Sequence, residues 1–352
     1  MTFKSLFTSL VSSVVLFSGT VFADAALLGN PVEGTFKTKD KLDLAYVKME
    51  HPNSKGAIVI TQGYTEHYVK WYETMNDLYE QGYSIYTYDH RGQGLSPRMG
   101  GIDQQLQPNS EVIHVNSWDD YVRDLERFVE NVVNKKAHAK KILLGHSMGA
   151  AIATSYLMDE EKKGEFNGAV LLSPMYEPLP PPGSGLTIES MLQASDYYCG
   201  IGLCSMDALG SRFDPSAPSS TLDGVTHDPA RYGEFFMYKA MNPQIVTSTP
   251  SFGWIREAII EGMELQEEGY KIHTPVLMMQ AGSEFYVNPV AQDNVCNAMN
   301  SDGVPNCSLV KFDMVIYPEG APFGFDKPAH ELYREVDPIR NAVLGLISQF
   351  IQ

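Results

Sequence analysis

The sequence predicts an α/β protein, built on a mostly parallel sheet with helices on both faces and carrying one long insertion. Two observations predict the sheet. The first is a series of short β-rich apolar runs that are continuous rather than alternating, as suits strands buried on both faces. They are Ala57 to Thr61, Tyr83 to Tyr88, Lys141 to Leu144, Ala169 to Leu172, Val276 to Gln280 and Val310 to Ile316. The second is that helical patterns separate them, which implies parallel strands joined by crossovers. A third observation, a break in this alternation between Pro174 and about Pro250, predicts the insertion.

Along the chain, residues 1–25 read as a signal peptide. Lys4 precedes an apolar run from Leu6 to Phe17, and small residues at 21–25 offer a cleavage site. An uncleaved anchor is the competing reading, but the run is short of the roughly 20 apolar residues a spanning helix needs. Export, to the periplasm or beyond the cell, is the expectation.

The core is expected over 26–173 and 251–352. Within it Trp118, Tyr121, Val122, Leu125, Phe128, Val129 and Val132 fall on one helical stripe, with Ser117 placed to cap it. Residues 174–250 hold a Pro180-Pro181-Pro182-Gly183 turn and aromatics that include Tyr197, Tyr198, Tyr232, Phe235, Phe236 and Tyr238. An insertion at the carboxyl edge of a parallel sheet is where a substrate-covering cap sits. The alternative is a structural insertion with its own small core.

At 352 residues the chain has room for one large domain or two ordinary ones, and 43% hydrophobic with 20% charged residues marks it as globular. A net charge of -17 excludes nucleic acid as a natural partner. The same charge disfavours docking on anionic lipid, so any membrane or micelle contact is expected through apolar or zwitterionic surface.

Four cysteines allow three pairings, of which the local one, Cys199 with Cys204 and Cys296 with Cys307, is expected for an exported chain. No CxxC is present and no His lies at ligand spacing beside either pair, so no metal is expected. Nothing in the sequence calls for a cofactor.

Gly145-His146-Ser147-Met148-Gly149 follows the run at 141–144 and leads into Ala150-Ala151-Ile152-Ala153. Strand, GxSxG and helix in succession describe a nucleophile elbow of the α/β-hydrolase fold, with Ser147 on a strained turn. The flanking glycines are required where strand and helix backbones approach too closely for a Cβ.

In this fold the chain order is nucleophile, acid, histidine. After Ser147 only His227, His273 and His330 remain. His227 lies in the insertion and His273 precedes a strand, at the wrong edge of the sheet. His330 follows the last strand, just before the terminal helix, and is the expected base. Glu284, directly after the run at 276–280, is the expected acid, with Asp293 as runner-up on the next helix. Two backbone donors complete the arrangement: the amide of Met148, and that of Tyr64 in the loop Gln62-Gly63-Tyr64. Asp89, Arg91 and Gly92 read as a structural turn with an internal ion pair.

These residues together resemble the lysophospholipase L2 branch of the monoacylglycerol-lipase-like hydrolases. Beyond GHSMG the resemblance includes QGYTEHYVKW (62–71), YDHRGQGLSPR (88–98), HVNSWDDYVRDL (114–125), VTHDPARY (225–232), FGWIREAI (252–259) and AHELYRE (329–335). It implies release of the acyl chain from a lysophospholipid, with Ser147, Glu284 and His330 at the triad positions and monoacylglycerol as a related substrate. Three features depart from the family: Gln62 stands where His is frequent, Asn288 where Asp is common, and the leader and cysteines are often absent. Transfer of the acyl group to an alcohol is a second enzymatic reading. A lipid-binding homologue without catalysis is the non-enzymatic one. Head group, acyl length and oligomeric state are not written in the sequence.

Overall fold

A computed structural model describes residues 26–100, 105–106, 110–159, 162, 164–301, 303–317 and 324–352. The signal-peptide reading therefore lies outside the described residues. Eight strands form the central sheet: β1 (Val32–Lys37), β2 (Asp43–Met49), β3 (Ala57–Thr61), β4 (Ser84–Tyr88), β5 (Lys141–His146), β6 (Gly168–Leu172), β7 (Val276–Ala281) and β8 (Cys307–Phe312). Their order is β1-β2-β4-β3-β5-β6-β7-β8. β1 and β2 pair antiparallel, β2 joins β4 antiparallel, and every later pairing is parallel.

The continuous apolar runs are explained by two cores, because successive side chains of a strand point to opposite faces. Val59, Leu143, Leu171 and Met278 enter one core, and Ile60, Leu144, Leu172 and Met279 the other. The helices are α1 (Tyr72–Glu80), α2 (Asp119–Asn131), α3 (Met148–Met158), α4 (Ile188–Gly200), α5 (Pro229–Met241), α6 (Phe252–Glu268), α7 (Pro289–Met299) and α8 (Asp337–Phe350). α2, α3, α6 and α7 close the first core, whereas α1 and α8 close the second. α4 and α5 lie within the 174–250 stretch, where Cys199 pairs with Cys204; Cys296 pairs with Cys307.

Three expectations need correction, and one element has no counterpart among the apolar runs: β1 is an edge strand with only Phe36 buried. The last strand is Cys307–Phe312, not Val310 to Ile316. Its ladder ends where Phe312 meets Ala281, and Ile316 donates its N–H to Asp326 in a loop.

Ser117 does not cap α2 with its side chain. Glu257 of α6 accepts from the Trp118 N–H at 3.1 Å instead, a carboxylate at a helix N-terminus supplied by tertiary packing. Asp89 and Arg91 do not pair with each other. Arg91 grips Asp124 of α2 with two bonds, at 2.6 and 2.7 Å, and reaches Asp40. Asp89 accepts from the amides of Tyr68 and Leu95, holding the loop after β3 to the end of β4.

Candidate active site

Tyr64, Ser147 and Glu284 each come within three residues of the carboxyl end of a parallel strand, and His330 lies in the segment between β8 and α8. Ser147 follows β5 with φ 50 and ψ -118, a conformation that L-residues avoid at a cost of about 1–3 kcal/mol. The surroundings hold it there. Its N–H donates to Leu172 O at 3.0 Å, and its carbonyl accepts from Ala150, Ala151 and Met175. A Cβ on Gly145 would lie 2.5 Å from Ala150 Cα, and one on Gly149 would lie 2.2 Å from Thr61 O. The second clash is with β3, so the elbow is packed against its neighbouring strand as well as its own.

His330 and Glu284 come together. Nδ1 of His330 lies 3.0 and 2.9 Å from the two carboxylate oxygens of Glu284, and both side chains are buried. The bond is fixed by backbone: the N–H groups of Gly282 and Ser283 both donate to Pro328 O, clamping the acid loop to the histidine loop. Burial alone would push the His330 imidazolium down. The Glu284 charge and hydrogen bond, with Glu331 and Glu66 behind them, outweigh it and leave His330 above its ordinary pKa.

The rival residues are engaged elsewhere. Asp293 lies on α7, bonded to Lys311 and Gln280. Both ring nitrogens of His227 are taken, by Glu335 at 2.9 Å and Phe325 O at 2.8 Å. His273 is exposed, just ahead of β7.

Tyr64 follows β3, and Met148 is the first residue of α3, where helix geometry leaves an N–H without an internal acceptor. Among the described residues neither amide meets a protein acceptor. Tyr64, Ser147 and His330 line one cavity of about 550 Å³, walled on the apolar side by Met175, Met191, Phe235, Phe236, Trp254 and Ile255. Of the aromatics within residues 174–250, Tyr232 also faces this cavity, whereas Tyr197 is exposed and Tyr198 stacks on Phe252.

A family model described as serine aminopeptidase, S33, matches residues 52–309. The chain belongs to this family. Lysophospholipase L2 of Escherichia coli (strain K12) is 28% identical over 324 residues, covering 90% of the chain and 86% of that protein. Monoglyceride lipase of Saccharomyces cerevisiae is 30% identical over 312 residues, covering 84% of each. The crystal structure of a soluble variant of the S. cerevisiae lipase superposes with a TM-score of 0.65 at 20% identity, covering 92% of the chain and 96% of that structure. The S33-family chain is thus a lysophospholipase- and monoglyceride-lipase-like serine hydrolase with the α/β-hydrolase fold, an enzyme of carboxylic esters.

Sequence reasoning missed how this S33-family site is braced. Glu66, buried beneath it, accepts from Gly63 N–H at 2.7 Å, Trp71 Nε1 at 3.0 Å, Lys70 Nζ at 3.0 Å and the Tyr333 hydroxyl at 2.9 Å. His146 bridges Glu66 and the carbonyl of His330, at 3.1 and 3.3 Å. Gln93 donates to Gly63 O and accepts from Thr65 N–H, both at 3.0 Å, gripping the loop on either side of Tyr64.

Gln62, the departure from the family's His, turns back to donate to Tyr88 O at 2.8 Å. Asn288 caps α7 by accepting from Val290 N–H, and its amide donates to Glu177 at 2.7 Å. An aspartate there would face Glu177 as a like charge.

Proposed function

We propose that the protein is a lysophospholipase that works through an acyl-enzyme on Ser147. The observation that carries the proposal is the Glu284–His330 pair beside a strained serine in one largely apolar cavity. Ser147 Oγ attacks the ester carbonyl while Nε2 of His330 takes its proton. Glu284 accepts from Nδ1–H and stabilises the imidazolium. The carbonyl oxygen, now an anion, accepts from the Tyr64 and Met148 amides, donors already in place before the reaction. His330 returns the proton to the departing glycerol oxygen, and water, deprotonated by the same imidazole, hydrolyses the acyl-enzyme. The apolar wall takes the acyl chain, with the 174–250 insertion acting as a cap over it.

The lysophospholipid assignment rests on the 28% identity to lysophospholipase L2 across most of both chains. Monoacylglycerol is the second reading, favoured by the 30% identity to the S. cerevisiae lipase. Fatty-acid release from lysophosphatidylethanolamine and from monoacylglycerol, with Ser147→Ala as control, decides between them. Faster turnover of the phospholipid, lost in the variant, is the expected result, and faster turnover of monoacylglycerol overturns the assignment.

The proposal also has the protein exported, on the strength of the apolar run after Lys4 and the paired cysteines. N-terminal sequencing of the protein from its native cell should begin near residue 25, and an intact Met1 would contradict export by cleavage.

A further inference from the structure

Four basic side chains line the cavity that holds Ser147: Lys70, Arg212, Lys239 and Arg334. Three are already engaged. Lys70 is held by Glu66 and Glu331, Arg212 by Asp207 at 2.6 Å, and Arg334 by the Lys70 carbonyl and Glu331. Lys239, on α5, differs. Among the described residues no carboxylate lies within 4 Å of its ammonium, whose near neighbours are the faces of Phe213 and Phe235, at 4.5 and 5.4 Å.

The carboxylates of this cavity have other partners. Asp223 accepts from the Tyr232 hydroxyl, and Glu331 and Glu66 serve Lys70. A charge that shares a cavity with the reacting serine and is met by two ring faces is matched to an anion arriving with the substrate.

The substrate's chemistry says which anion. The acyl carbonyl goes to Ser147 and the chain to the apolar wall, so the remaining polar portion is what the acyl group leaves behind. In monoacylglycerol that portion is neutral. In a lysophospholipid it carries a phosphodiester. We infer that Lys239 binds the headgroup phosphate of the lysophospholipid and is the residue that sets preference for it over monoacylglycerol; this rests on the reading of Ser147 as the nucleophile of a lysophospholipase.

The state of the free site agrees. Burial, and then the nearby charge of Lys70, push the Lys239 ammonium down to about 8, with Asp223, Glu331 and Glu111 pulling weakly the other way. A bound phosphate reverses that shift, because an opposite charge favours the ammonium.

The test compares kcat/KM for lysophosphatidylcholine and for a monoacylglycerol of the same chain, both below their micelle concentrations, in wild type, Lys239→Met and Lys239→Arg. The ratio of the two constants should fall about 10- to 100-fold in K239M, the loss expected for one charge-assisted hydrogen bond, and stay within about threefold in K239R. A ratio unchanged in K239M overturns the inference while leaving the lysophospholipase reading intact. Wild type that cleaves only monoacylglycerol overturns that reading and the inference with it. A measurement on wild type alone guards against a K239M that does not fold. Glycerophosphocholine should inhibit monoacylglycerol hydrolysis at least about tenfold more tightly than glycerol does, and equal inhibition again overturns the inference.

Discussion

The Tyr333 hydroxyl donates to Oε1 of Glu66 at 2.9 Å, joining the segment after His330 to the loop that carries Tyr64, across 267 positions of sequence. Glu66 thereby sets two halves of the site against each other. It is a positioning residue: its bonds go to Gly63, His146, Lys70, Trp71 and Tyr333 rather than to the cavity's reacting atoms.

Glu66→Gln replaces a pure acceptor with a group that presents donors to donors. We expect a loss of about 2–4 kcal/mol in urea denaturation, the scale for breaking a buried charged network. The pH dependence gives a sharper readout. Burial raises the Glu66 carboxyl, but Lys70 and His146 and the hydrogen bonds outweigh it and hold it well below its ordinary 4.5. A depressed carboxylate contributes stability that is complete above its unfolded value and lost as pH falls toward its folded one. Wild type should therefore lose stability below about pH 4.5 more steeply than E66Q does, and parallel profiles would contradict this role.

Glu284→Gln should lower kcat by about 10²- to 10⁴-fold, as removal of the orienting acid does elsewhere. The direction of the pH shift is fixed by charge. Glu284 raises His330, and the base must be neutral to act, so wild-type kcat/KM should fall as pH drops through a value above the ordinary 6.5. In E284Q that acid limb should move to lower pH. A limb that stays put would mean that another group titrates.

Gly149→Ala places a Cβ 2.2 Å from Thr61 O and 2.3 Å from Gln62 O, backbone atoms of a buried strand end. It should cost more than about 3 kcal/mol and reduce soluble yield. Gly233→Ala on α5 is the control, since a Cβ there meets nothing within 4 Å. It should be neutral or stabilising by about 0.5–1 kcal/mol in the same denaturation series.

The parts legible in the sequence were those that local patterns encode. Continuous apolar runs located β3 to β7, and the GxSxG context located the elbow. Chain order then singled out Glu284 and His330, which the structure brings to 2.9 Å. The illegible parts depend on partners remote in sequence. In the β1–β2 hairpin β1 buries only Phe36, and the buried residues of β2 are interrupted by half-buried Tyr46 and Lys48, so neither strand carries a continuous apolar run. Arg91 looks locally paired with Asp89, yet its carboxylate lies 33 positions away on α2. Glu66 stands within QGYTEHYVKW (62–71) beside its local partners Gly63, Lys70 and Trp71, but its bonds to His146 and Tyr333 form only when the loop after β3, the end of β5 and the segment after His330 converge. Lys239 is visible only as one lysine among several until the cavity shows which cations are already paired.

The proposed mechanism depends on Ser147 as the nucleophile, activated by His330. Intact-mass and peptide mass spectrometry after exposure to a fluorophosphonate is the first measurement to make. One adduct per chain, located on Ser147, absent in Ser147→Ala and strongly slowed in His330→Ala, is the expected outcome. An adduct on another residue, or none in an active wild-type preparation, would contradict it.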